Sequence, residues 1–141
     1  MSPTTLVATR ATALALPICL ALVGCGAGTA QKRQELLPKL QSAMTAPVDT
    51  PEQSQEHSRL AEQVADSEML MDMPRHEVEE ALGKGDPCSR HPRCAEKGFE
   101  ADDWYYQIGR MGESDPGRLP ALIVGFDRFG KVTQLYNFRT H

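Results

Sequence analysis

Three observations predict an α+β fold for this 141-residue chain. Apolar residues recur at helical spacing through its middle, and the period shortens to that of strands from Trp104 onward. A tight glycine turn then joins the last two strand-like runs. In chain order this gives two short helices packed on a three-stranded antiparallel sheet, an ααβββ sandwich of two layers. A signal peptide and a tether are expected before it, with boundaries at 1–24, 25–56 and 57–141.

The first helix begins at Thr50-Pro51-Glu52-Gln53, where Thr50 caps, Pro51 suits the first helical position and Gln53 completes a capping box. Leu60, Val64, Ser67 and Met71 line one face, with Ala61, Ala65 and Met69 beside them. Met69, Met71 and Met73 are read as core fillers, with a soft binding surface as the other reading. The second helix has Pro74 in its first turn, Glu77 opposing the positive end of the dipole, and Val78 and Leu82 on one face. Gly83 is expected to end it in the left-handed position.

The first strand is Trp104-Tyr105-Tyr106-Gln107-Ile108, aromatic and β-branched. Leu119 to Asp127 and Lys131 to Phe138 form a hairpin, its reversal made by Arg128-Phe129-Gly130 with Gly130 at positive φ. Trp104, Tyr106 and Ile108 share a face expected to pack on the helices. Tyr105 lies on the opposite face and is expected to be exposed, which makes it a candidate partner contact, as is Tyr136 or Phe138 according to register. Phe129, apolar at a loop tip, is a third candidate.

Upstream, Gly26 to Ala46 carries only Leu36, Leu40 and Met44 at helical spacing, with Pro38 in their midst. This stretch is read as tether with weak helical tendency, a true core helix being the alternative. Before it, Arg10 precedes an uncharged apolar run from Ala11 to Val23, interrupted by Pro17, which leads to Leu22-Val23-Gly24-Cys25. That is the layout of a secretory signal ending in a bacterial lipobox. The run falls short of the roughly 20 residues that span a bilayer as a helix. Residues 1–24 are therefore expected to be removed and Cys25 acylated. Each buried methylene contributes about 0.8 kcal/mol, so several acyl chains hold a protein at a membrane. Gly26 in place of an aspartate favours the outer membrane, with the domain facing the periplasm.

The chain holds 15 basic and 19 acidic residues, a formal net charge of −4. No basic stripe runs along any expected element, so no nucleic-acid partner is expected. Cys88-Ser89-Arg90-His91-Pro92-Arg93-Cys94 is the sharpest local feature. In an oxidising compartment Cys88 and Cys94 read as a disulfide, which a small core needs. The rival reading is a zinc site of Cys88, His91 and Cys94 with His76 as fourth ligand. Glu77, Glu79, Glu80, Glu100, Asp102 and Asp103 read as a solvated face. No nucleophile elbow, phosphate loop or other catalytic constellation is present. The expectation is a non-enzyme without cofactor, metal or small-molecule substrate.

The ordered pattern of Met73, Glu77, Val78, Leu82-Gly83, Pro87, Trp104-Tyr105-Tyr106, Phe126-Asp127, Gly130 and Val132 resembles the SmpA/OmlA (BamE-like) lipoprotein family over residues 68 to 138. Asp72 stands where that family has a turn glycine and Pro74 where it has threonine. The segment between Gly83 and Trp104 is also longer. The resemblance implies a BamE-like domain and an accessory factor for outer-membrane β-barrel assembly or envelope integrity. Inhibitor proteins of β-lactamase share the helix-helix-sheet unit. The alternative is therefore an inhibitor or sensor domain that binds a soluble envelope enzyme through its sheet face.

Overall fold

A computed structural model describes residues 26–114 and 118–139. The signal segment 1–24 and the lipidation site Cys25 lie outside the described residues. Within them the elements run α1 (Gly26–Thr45), β1 (Pro47–Val48), α2 (Pro51–Asp66), α3 (Arg75–Leu82), β2 (Asp86–Pro87), α4 (Pro92–Glu96), β3 (Trp104–Gln107), β4 (Arg110–Met111), β5 (Ala121–Phe126) and β6 (Val132–Phe138). The mixed α+β class holds, but the arrangement is richer than ααβββ. The main sheet has four antiparallel strands in the order β2-β3-β5-β6, and β1 pairs in parallel with β4 beside it.

The largest correction concerns the tether expected over 25–56. Residues 26–45 form one helix, α1, which runs through Pro38 and packs on α2 and α3. Leu37, Leu40 and Ala43 are buried in the main core, and Leu36 and Met44 pack against it. Pro38 is tolerated because it lies on the exposed side. The carbonyl that loses its intrahelical donor there can be met by water.

Thr50 caps α2 as expected, accepting from the Gln53 amide while the Gln53 side chain accepts from the Thr50 amide. The helix ends earlier than its apolar pattern implied, and its buried face is Ser54, Ser58, Ala61 and Val64. The expected stripe of Leu60, Val64, Ser67 and Met71 is thus rotated. The reason is that α2 has two neighbours, α1 on one side and β5 and β6 on another, and small side chains permit the close approach. Met69, Leu70 and Met73 fill the core from the turn that follows.

That turn holds Asp72 at φ +61°, a left-handed conformation glycine adopts freely. Its amide donates to the Val132 carbonyl, which fixes the geometry. Relief of the side chain's left-handed strain, about 1–2 kcal/mol, exceeds the entropy glycine adds to the unfolded chain, about 0.4–1 kcal/mol. Asp72→Gly is therefore expected to raise the thermal midpoint by a few degrees. A lowered midpoint would mean that the carboxylate itself stabilises the turn.

Helix α3 buries Val78 and Leu82 as expected, but it starts at Arg75, and Pro74, expected in its first turn, is the extended residue that caps it. Gly83 has φ +82° but ψ 169°, so the helix does not end in the left-handed cap expected of it. Behind it the Tyr106 hydroxyl donates to the Gly83 carbonyl at 2.8 Å. Burial, with the Glu79 carboxylate adding to it, pushes the Tyr106 phenol above its ordinary value of 10.0. An acid whose folded pKa is raised contributes stability that is complete below the unfolded pKa and is lost as pH rises. Stability should therefore fall above about pH 10. Tyr106→Phe should flatten that slope while costing about 1 kcal/mol at neutral pH for the lost hydrogen bond. Urea melts of both chains from pH 8 to 11 test this, and parallel slopes would refute it.

Candidate functional site

Strand register decides what each face of the sheet offers. Trp104 is opposite Val124, and Tyr106 opposite Leu122. Their side chains lie in the main core with Ile108, as expected. The alternate row, Tyr105–Ile123–Tyr136, runs across the other face. That face was expected to be open to a partner, and the structure corrects this. A second core covers it, made of Cys88, Cys94, Phe99, Ala121, Ile123 and Phe138, with Tyr105 and Tyr136 packed against it. The segment from Cys88 to Asp103 forms this cap.

The cap is built from local closures and one close contact. The Cys88 and Cys94 sulfurs lie at disulfide distance, with Cα atoms 5.6 Å apart. A seven-residue loop closed this way gains about 2 kcal/mol. The Phe99 ring lies 3.0 Å from where a Cβ on Gly125 would stand, so a side chain there would press on the ring and the cap would have to shift to keep its seat. Asp103, read from sequence as part of a solvated face, is instead buried. Its carboxylate accepts from the Glu100 amide at 2.8 Å and the Phe126 amide at 2.9 Å. Its own carbonyl accepts from the Cys88 amide.

The expected site residues fall in different places. Tyr105 is half-buried, its ring stacked 3.9 Å from that of His91. Tyr136 is half-buried under the cap, 5.0 Å from the Lys97 ammonium. Both serve as floor for the cap. His91 reaches Asp86 at 3.4 Å, and His76 is exposed on α3. Among the described residues no group of three or more His, Cys, Asp or Glu side chains is placed to hold a metal.

Phe129 alone of the three candidate contacts stands free, 74% exposed at the hairpin tip. The tip is rigidly built. The Asp127 carboxylate accepts from the Phe129 and Lys131 amides, and the Gly130 amide donates to the Asp127 carbonyl. Gly130 takes the expected positive φ, +76°. Its carbonyl accepts from the Arg75 amide, which ties the tip to the start of α3. The Arg128 guanidinium lies 4.6 Å over the Phe129 ring.

Arg75 is a residue the sequence reading missed. Its guanidinium lies 4.1 Å over Phe126 and 5.1 Å over Trp104 and pairs with the Asp102 carboxylate at 3.5 Å. It thereby braces the root of the hairpin. Only its position after Pro74 at a helix start hinted at a fixed orientation. The arrangement presents one aromatic side chain with an arginine beside it, a pairing enriched at the centres of protein interfaces.

No family model, curated protein or solved structure matches this chain. Among the described residues no helix is long and apolar enough to cross a membrane.

Proposed function

We propose that this chain is a lipid-anchored protein-binding module of the bacterial envelope, held at the outer membrane by acyl chains on Cys25 and docking a protein partner through its hairpin tip. The observation that carries this reading is Phe129, a large apolar side chain held out into solvent on a braced turn. Single exposed apolar residues are ordinary. One fixed by Asp127, Gly130 and Arg75 loses little entropy on docking. Tethering raises the partner's effective concentration, so a small contact suffices. The lipobox pattern supports the anchor, and the residue pattern shared with SmpA/OmlA lipoproteins makes β-barrel assembly components the partner to seek first. The partner surface is assigned to the tip and no longer to the sheet face, which the cap occupies.

The test is crosslinking from position 129 in native membranes with the full-length chain, and from a Phe129→Ala chain with the crosslinker at 128. Phe129→Ala is expected to weaken capture tenfold or more while leaving fold stability within about 0.5 kcal/mol. Capture unaffected by Phe129→Ala would remove the tip from the interface. A Cys25→Ala chain that still fractionates with membranes would remove the lipid anchor.

A further inference from the structure

A cleft of about 890 Å³ lies at the far end of the hairpin from Phe129, lined by Arg93, Lys97, Arg118 and Arg139, with Glu96 the one acid. Four cations meet here in a chain whose net charge is −4. They come from separate segments: Arg93 and Lys97 from α4 and the residue after it, Arg118 from the approach to β5, Arg139 from the end of β6. Two are stacked on the cleft's aromatic floor, Arg93 at 3.7 Å over Phe138 and Lys97 at 5.0 Å over Tyr136. Arg139 is also paired with Glu62. Ser54 holds the Arg118 carbonyl. Asn137 contributes to the wall of the cleft, while alternation along β6 turns its side chain to the other face of the sheet, opposite Leu122.

The cleft runs along an edge strand. β6 is the last strand of the sheet. The segment at Asp72–Met73 pairs with Val132, and beyond it nothing described pairs with the outer edge. Unpaired strand edges accept another strand, and side-chain pockets beside them set which one.

From these observations we infer that the β6 edge takes up an extended acidic peptide segment of a protein partner, its backbone pairing with β6 and its carboxylates meeting Arg93, Lys97, Arg118 and Arg139. This goes beyond the reading above, since it uses neither Cys25 nor Phe129. The tip and the cleft lie on the order of 20 Å apart along the strand, so both can be occupied at once.

The probe is a fluorescein-labelled peptide of alternating Glu and Val, eight residues long, titrated against the full-length chain in detergent at low salt. Two further peptides carry N-methyl groups on the Glu amides or on the Val amides. Strand pairing uses alternate amides, so methylation of one set should abolish binding and methylation of the other should be tolerated. The Arg93→Glu/Lys97→Glu chain should bind at least tenfold more weakly, and Arg93→Lys/Lys97→Arg should retain affinity, with thermal melts confirming that both fold. Amide exchange along Gln134–Phe138 should slow when the peptide is bound. No binding, or binding insensitive to charge reversal, would overturn the inference. Equal binding of both methylated peptides, displaced by tripolyphosphate, would make the cleft a general anion site and also overturn it.

Discussion

Replacing Leu40 by alanine is expected to destabilise the protein by about 2–5 kcal/mol, the range for truncating a fully buried leucine. Leu40 has no exposed surface and sits in the main core among residues of α2, α3 and the sheet. A small domain has only about 5–15 kcal/mol in hand, so this one change would consume a large share of it. The effect discriminates sharply between two views of residues 26–45. In a tether, Leu40→Ala changes nothing beyond about 0.5 kcal/mol. In a core helix it exposes the seam between α1 and its neighbours. Urea melts followed by far-ultraviolet dichroism and Trp104 fluorescence decide, and coincident transitions would show that α1 unfolds with the rest. A shift of the dichroism alone would make α1 a separate unit.

The second large effect is expected at Asp103. Asp103→Ala removes the acceptor for two amides at once, those of Glu100 and Phe126. Hydrogen bonds to a charged group contribute about 1.5–3 kcal/mol each, and the stranded donors add a desolvation cost. A loss of at least about 3 kcal/mol follows, in a residue whose side chain is small. Asp103→Asn should cost less, about 1–3 kcal/mol, because its amide oxygen satisfies one donor while its amide nitrogen faces the other. The distinctive readout is local. Amide exchange at Phe126 should quicken more than at Leu122, since Phe126 lies where the β5–β6 register shifts. An Asp103→Ala chain within about 1 kcal/mol of the parent would show that the cap seats without it.

What could be read from the sequence is what local chemistry determines. The Thr50 capping box, the Gly130 reversal and the alternation through Trp104 and Tyr106 each lie within a few residues, and each was found where expected. What escaped depends on partners distant in the chain. Leu37, Leu40 and Ala43 are core only because α2 and α3 present a surface to them, and Pro38 argues locally against the helix that carries them. Asp103 reads as surface because one of the two amides it serves is 23 residues away, on Phe126. Tyr105 reads as exposed because the cap contributes few apolar side chains, chiefly Phe99 and two cysteines. Nothing near Phe99 announces that it seats on Gly125. For the candidate site, Phe129 was legible because a loop tip is a local property. Arg93, Lys97, Arg118 and Arg139 were not, because the last two join the first only through the strands between them.

The Cys88–Cys94 closure has a consequence for how the protein matures. Its ends are six residues apart in sequence, and loops of about this length meet in roughly 10–100 ns. Chain diffusion therefore does not limit the closure; the supply of an oxidant does. The hairpin and β3 contain no cysteine, so the sheet does not depend on this closure, whereas the cap over Tyr105, Ile123 and Tyr136 depends on it in part. A reduced chain is therefore expected to keep its main core, which holds neither cysteine, while the wall of Tyr105, Ile123 and Tyr136 opens to water more often.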